Sequence, residues 1–402
     1  MTPERSRLLR AVIPAAFLLS GVAGLVYEVV WSKYLTLFIG GTAVATTIVL
    51  ATFMGGMAFG NALFGRLADR PGANTLRLYA LLELGIGLSC LLFPALLARL
   101  GSLYLAVGAW TGPTSALNPA LKALFAVASL LVPCTLMGGT LPLLTKSLTE
   151  SVTGLGMRLG RLYFYNTAGA VFGCLLGGYY LIEAWGLELA MVGTSFVNFA
   201  IGGVVYWLAR TPPARSAPVA GEQPGPAPVA VEYTLLQSRL AFWCIGIAGV
   251  LTMLYEIVWF RLLVLSIGGT VHSFSTMLAG FVAGIAAGAA VAARLSRSPR
   301  NAVALFGVCE LLIGLCTLLP FALFERLPYA FFQIASRVVH SPENYGLYLS
   351  LVVAFAMLLM GIPALLMGAA LPLASLVRVP RLEVLGRGVG SVFSVNTVGN
   401  VV

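Results

Sequence analysis

The 402-residue chain is 59% hydrophobic and only 9% charged, with a formal net charge of +10 and a mean hydropathy of +0.96. A soluble domain carries about 25% charged residues, so this chain cannot cover a water-facing surface and its solvent is lipid. The excess of Lys and Arg reads as the orientation signal of a membrane protein and not as a nucleic-acid surface.

Eleven apolar segments follow in chain order, at 11–38, 44–64, 78–98, 121–145, 162–182, 187–209, 240–266, 272–292, 302–321, 347–376 and 389–402. Runs of about 20 apolar residues cross ~30 Å of hydrocarbon as helices. Continuous runs without a period of two exclude barrel strands. The last segment has 14 residues and no polar flank. It is expected to be the start of a helix that continues in a longer parent protein. With the N-terminus cytoplasmic, 18 of the 24 Lys and Arg fall in cytoplasmic segments and 4 (Arg99, Lys122, Arg326, Arg337) outside, while Lys33 and Arg261 lie within spans. That asymmetry sets the expected orientation. The expected location is the inner (plasma) membrane of a bacterium.

The six cysteines lie in apolar runs without ligand spacing, and His272 and His340 are isolated. Neither a metal nor a cofactor is expected. Residues 210–231 read RTPPARSAPVAGEQPGPAPVAV, a Pro- and Ala-rich cytoplasmic linker in extended conformation.

The chain repeats itself. LVYEVVWSKYLTLFIGGT from Leu25 returns as MLYEIVWFRLLVLSIGGT from Met253, an offset of 228. Tyr27, Glu28, Trp31 and Lys33 meet Tyr255, Glu256, Trp259 and Arg261. Gly56 and Gly60 meet Gly284 and Gly288, Glu83 meets Glu310, PCTLMGGTLPL meets PALLMGAALPL, and YNTAG meets VNTVG. The expected architecture is an all-α polytopic bundle of two parallel six-helix repeats, the second incomplete. Residues 1–209 form the first repeat, 210–238 the linker, and 239–402 the second repeat, which reaches its fifth helix. An even number of spans per copy makes the copies parallel. The small residues four apart let helices approach closely.

Two parallel six-helix units joined by a cytoplasmic linker resemble the major facilitator superfamily. The loop Gly65-Arg66-Leu67-Ala68-Asp69-Arg70-Pro71-Gly72 is similar to that superfamily's cytoplasmic G-x-x-x-D-R-x-G signature. Its second copy, Ala293-Arg294-Leu295-Ser296-Arg297, lacks the acid. A narrower resemblance rests on SGVAGLVYEVVWSKYL, LMGGTLPLLTK and GRLYFYNTAGAVFG, which resemble the membrane domain of fused spermidine-synthase-like proteins. In that family the membrane domain precedes a soluble aminopropyltransferase domain. The resemblance implies a fused or associated cytoplasmic domain of that kind as partner, beside the lipid bilayer. No Gly-rich strand-to-helix turn with a following acid is present, so no catalytic residue carries over.

Four acids fall inside spans: Glu28, Glu83, Glu256 and Glu310. Each costs at least ~2.5–3.5 kcal/mol at bilayer depth without a partner, a proton or water. Glu28 and Glu256 form an outer layer, and Glu83 and Glu310 an inner polar pair roughly 10–15 Å deeper by helical rise. Lys33 is five residues from Glu28, about 140° away in azimuth. The expected partners are therefore across the repeats, Glu28 with Arg261 and Glu256 with Lys33. The competing reading has Lys33 and Arg261 snorkelling to the interface. Tyr27, Trp31, Tyr255 and Trp259 flank the acids. With the carboxylates they suit an organic polycation such as a polyamine, or they form an interfacial aromatic belt. Asn166 and Asn396 read as helix–helix hydrogen-bond donors. Two functions follow. One is a transporter-like domain with a central amine site. The other is a non-transporting anchor for an aminopropyltransferase domain or a membrane complex.

Overall fold

The computed structural model describes residues 3–40, 42–111, 117–210, 233–267, 271–296, 302–318, 326–338 and 344–401. The helices run α1 (Pro3–Ile39), α2 (Thr42–Ala68), α3 (Thr75–Thr111), α4 (Leu117–Leu148), α5 (Leu155–Leu176), α6 (Ile182–Ala209), α7 (Leu235–Ile267), α8 (Val271–Leu295), α9 (Ala302–Leu318), α10 (Leu327–Val338), α11 (Tyr345–Arg378) and α12 (Leu385–Gly399). There is no strand among the described residues. Eight helical runs there are long and apolar enough to cross a bilayer, one of them comprising both α5 and α6. The protein is an integral membrane protein.

Helices start and stop where local chemistry dictates. α1 ends at Gly40, whose φ of 89° is one that L side chains avoid, and the Gly40 amide closes the last turn on Thr36 O at 2.9 Å. A π-helical turn at Gly177–Leu181 joins α5 to α6, and the backbone leaves helical geometry at Gly186 (φ 74°, ψ 176°). α7 opens on a capping box: Thr234 N donates to Gln237 Oε1 (2.9 Å) and Gln237 N to Thr234 Oγ1 (3.2 Å). The helix therefore begins at Leu235, ahead of the expected boundary at 239. The linker at 211–232 lies outside the described residues.

Packing recurs between the repeats. α2 lies on α4 as α8 lies on α11, α1 on α5 as α7 on α12, and α3 on α4 as α9 on α11. The closest approaches are at the repeated glycines. A Cβ on Gly60 would stand 1.9 Å from Thr135 O, and one on Gly288 1.8 Å from Leu365 O. Only hydrogen fits there, so backbone touches backbone. The repeats meet through α2 against α12 and α5 against α8.

One position departs from the repeat. The unbroken α3 corresponds to α9 and α10 together, and α10 is a short helix that hydropathy did not mark. Pro328 sits in its first turn, where a missing amide costs nothing. Phe331 is buried against Phe355 (4.9 Å between ring centroids), while Tyr329 and Phe332 face outward.

Buried side chains form one cluster shared by both repeats at the end carrying the α2–α3 loop, with Leu144 and Leu155 beside Ala374 and Leu385. Towards the other end each repeat has its own cluster, around Trp31 and Phe93 in one and around Trp259 and Met360 in the other. A small bridge of Val29, Cys174 and Leu278 joins α1, α5 and α8.

Candidate functional site: an acidic central cavity

A cavity of ≈270 Å³ opens between the repeats, with walls from α1, α2, α4, α5, α7, α8, α9, α11 and α12. Its body is apolar, built of methionines such as Met54, Met57 and Met367 with Phe53 and Phe281. Three carboxyl groups enter it: Glu28 from α1, Glu256 from α7 and Glu310 from α9. Glu28 and Glu256 are 4% and 8% exposed and lie within electrostatic range of each other. Neither carries a hydrogen bond or ion pair among the described residues, and Glu310 Oε1 is buried without a partner. Among the described residues, no Lys or Arg lines the cavity. Asn61, Asn166, Asn396 and Asn400 supply neutral amides to its wall.

Two of these amides have a structural task on matched positions. Asn166 Nδ2 donates to Phe17 O (3.2 Å) and Asn396 Nδ2 to Ile245 O (3.0 Å). Each ties its helix to the first helix of its own repeat.

The other residues singled out in the sequence stand elsewhere. Tyr27 and Trp31 are fully buried in the first repeat, stacked at 5.7 Å and 19°. The Tyr27 hydroxyl donates to Asn198 Oδ1 at 2.7 Å. On α1 they share a face about 60–100° away from Glu28, so they pack inward and do not line the cavity. Trp259 is likewise buried among Met277, Phe281 and Met360, and Tyr255 packs beside it half-buried. None of Tyr27, Trp31, Tyr255 and Trp259 is among the described residues of the cavity lining. The expected Glu256–Lys33 pair is also corrected. The two ion pairs among the described residues are Lys146–Asp69 and Arg158–Glu150, and half-buried Lys33 turns to another side of α1. The side chain of Arg261 lies outside the described residues.

Glu83 and Glu310 do not form an inner layer of two like groups. Glu83 is fully buried behind the cavity wall and accepts from Ser20 Oγ and Asn198 Nδ2, both at 2.7 Å. Glu310 instead joins Glu28 and Glu256 in the cavity. Asn198 on α6 gave no signal in the repeat, because its matched position falls past residue 402.

The signature loop forms a second constellation. The Asp69 carboxylate accepts from the backbone amides of Gly386 (3.0 Å) and Arg387 (2.7 Å) at the start of α12. It thus meets the positive end of a helix from the other repeat. Lys146 Nζ lies 2.8 Å from Asp69 Oδ1 and also donates to Leu382 O. Gly65 permits the approach, since a Cβ there would stand 2.6 Å from Gly386 O. Gly72 turns the chain with φ 77°, and Arg70 is exposed. Lys146 was not singled out in the sequence. The signal was there, because Asp69 and Lys146 change together in the second copy, to Arg297 and Leu376.

The architecture is that of a polytopic, all-α membrane protein built of two packed helical repeats. The chain is similar in fold to the human organic anion transporter MFSD10 (TETRAN), with a TM-score of 0.56 and 16% identity over 100% of this chain and 92% of that one. A weaker likeness links it to an auto-inhibited peptide transporter of the POT family, with a TM-score of 0.43 and 16% identity over 97% and 87% of the two chains. No protein-family model matches the sequence, and no curated protein matches it.

Proposed function

We propose that the chain is the membrane domain of a transporter that binds an organic amine, a polyamine or a related cation, in the central cavity. The observation that carries this reading is the trio Glu28, Glu256 and Glu310 in one cavity with no cationic side chain among the described residues of its lining. Like charges confined in a poorly solvated space repel, and a cationic solute supplies the missing charge. The methionine- and phenylalanine-rich wall suits the alkyl body of an amine. The fold likeness supports transport, but the anion in the neighbour's name does not carry over. An acidic cavity with no Lys or Arg among its described lining residues opposes an anion. In this reading the N-terminus and the Asp69 loop are cytoplasmic, as the basic residues indicate. A cytoplasmic aminopropyltransferase domain, fused or associated, accompanies the membrane domain.

Spermidine binding to the purified protein, followed by thermal shift and by uptake into proteoliposomes, tests the proposal. Stabilisation by spermidine that is lost in Glu28→Gln and Glu256→Gln is the expected result. No stabilisation and no uptake would leave the anchor reading in its place.

A further inference from the structure

α10 is where the two repeats part company. α3 runs unbroken for 37 residues, about 55 Å at the rise of an α-helix and well beyond the ~30 Å of hydrocarbon. Its counterpart α9 has 17 residues, about 25 Å. The helix that follows, α10, has 12 residues and packs on α7 and α11. Leu373, Ala374 and Val377 of α11 belong to the buried cluster at the end carrying the α2–α3 loop. α10 meets the opposite end of α11, where the Phe331 ring lies 6.4 Å from that of Tyr348 and 4.9 Å from that of Phe355.

The described side chains of α10 divide into two arcs. The Ala330 amide donates to Arg326 O at 2.9 Å, so Arg326 belongs to the first turn and azimuths count from it at 100° per residue. Phe331 points into the bundle and is buried. Phe332 and Ile334 stand about 100° and 60° to either side of it, and they are 66% and 52% exposed. Arg326, Tyr329, Gln333, Ser336 and Arg337 are all exposed and all lie at least about 120° from Phe331. The two arginines fall within about 20° of each other in azimuth and roughly 16 Å apart along the axis. Residues 326–338 carry these two cations and no acid. A helix running alongside α11 buries a stripe along its whole length. Here Phe331 is buried while Ile334, one turn on and on the same side, is exposed, so α10 crosses α11.

We infer that α10 lies in the plane of the membrane interface and binds the headgroups of anionic phospholipids: Arg326 and Arg337 hold lipid phosphates while Phe332 and Ile334 enter the acyl boundary. An apolar arc towards the bundle and a basic arc away from it suit the boundary between hydrocarbon and water. Guanidinium forks match phosphate oxygens, and two on one arc meet one leaflet. Tyr329, with an apolar ring and a polar tip, belongs at headgroup level. In the orientation proposed above this is the outer leaflet. Because Phe331 seats α10 on Tyr348 and Phe355, the lipid contact ties that end of α11 to the leaflet. The inference stands apart from the amine site and needs no transport.

Cysteine labelling of the intact chain in nanodiscs tests it. Phe332→Cys and Gln333→Cys replace adjacent residues that the protein itself leaves exposed, so lipid alone sets their difference. A water-soluble maleimide is expected to label Phe332→Cys several-fold more slowly than Gln333→Cys, with the unmutated chain as the baseline for Cys244, which is exposed. Equal rates would overturn the in-plane placement. Native mass spectrometry of the chain equilibrated with phosphatidylglycerol and phosphatidylcholine reads the headgroup. Preferential retention of phosphatidylglycerol, reduced in the Arg326→Gln, Arg337→Gln double variant, is the expected result. Retention that the double variant leaves unchanged, or that inorganic phosphate abolishes by competition, would overturn the assignment of the arginines to lipid. Absence of any preference in the unmutated chain would do so even if the variant fails to fold.

Discussion

Lys146 at the end of α4 lies 2.8 Å from Asp69 in the α2–α3 loop, and the two together hold the first turn of α12. Asp69 takes the amides of Gly386 and Arg387 while Lys146 takes the Leu382 carbonyl. A carboxylate between an ammonium and a helix N-terminus is stabilised from both sides. The contact crosses from one repeat to the other, so it bears on whether this end of the bundle can open. Asp69→Asn is expected to lower stability by about 1–3 kcal/mol. With Lys146→Met it should show a coupling of about 0.5–3 kcal/mol in a double-mutant cycle. Thermal unfolding in detergent measures both. Strictly additive effects would mean that the two residues do not act as a unit.

The glycine contacts allow a sharper test, because the repeat contains its own controls. Gly60→Ala and Gly288→Ala place a methyl within 2 Å of a carbonyl oxygen, which the helices can relieve only by moving apart. A loss of about 1–3 kcal/mol each is expected. Gly314→Ala on α9 meets nothing within 4 Å and replaces a poor helix former, so it should be neutral or gain roughly 0.5–1 kcal/mol. Equal melting temperatures for the Gly60, Gly288 and Gly314 variants would contradict this packing.

Much of the architecture was legible because lipid enforces it. Backbone groups in hydrocarbon must bond within their own helix, so each long apolar run could only be a helix. The register of the repeat then paired Gly60 with Gly288 and Asn166 with Asn396, and the structure gives each pair matched contacts. Hydropathy could not show helix ends that extend into water, such as α7 back to Leu235, or the amphipathic α10. The side to which a polar residue turns was harder still. Tyr27 and Glu28 are adjacent in sequence but about 100° apart on the helix, and that angle puts one in a closed core and the other in a cavity. The difference between Glu83 and Glu310 depends on Asn198 and Ser20, which reach Glu83 from other helices and stand beside no acid in the sequence.

Neutralising a cavity acid should separate folding from binding. Glu28 and Glu256 carry no ion pair among the described residues, so Glu28→Gln and Glu256→Gln are expected to leave the melting temperature unchanged or raised. They should weaken spermidine binding at least about tenfold, roughly 1.4 kcal/mol. Asn198→Ala should do the reverse. It deprives the Glu83 carboxylate of a donor in a site with no water-facing surface, at a cost of about 1–3 kcal/mol, and leaves amine affinity as it was. Thermal melts and spermidine titrations on the same preparations distinguish the two patterns. A drop of several kcal/mol in Glu28→Gln would reveal a dry, paired charge and defeat the cavity reading.

The serine that distinguishes the repeats can be exchanged between them. Ser20→Ala takes a 2.7 Å hydrogen bond from Glu83 and is expected to cost about 1–3 kcal/mol of stability. Because Asn198 still holds the other oxygen, Glu83 should stay behind the wall and amine affinity should not change. Ala248→Ser, at the repeat position matched to Ser20, puts a hydroxyl in the cavity that Glu310 enters, where Oε1 now has no partner. A hydrogen bond formed there gives the acid a competing neighbour before any solute arrives. Stability should then rise by about 0.5–1.5 kcal/mol, and spermidine should bind several-fold more weakly, since it must displace that donor. The double exchange should add the two stability changes and keep the weaker binding. Thermal melts and calorimetric titration of the three variants are sufficient. If Ala248→Ser left both stability and affinity untouched, Glu310 would not be an open acid of the cavity, and the site would reduce to Glu28 and Glu256.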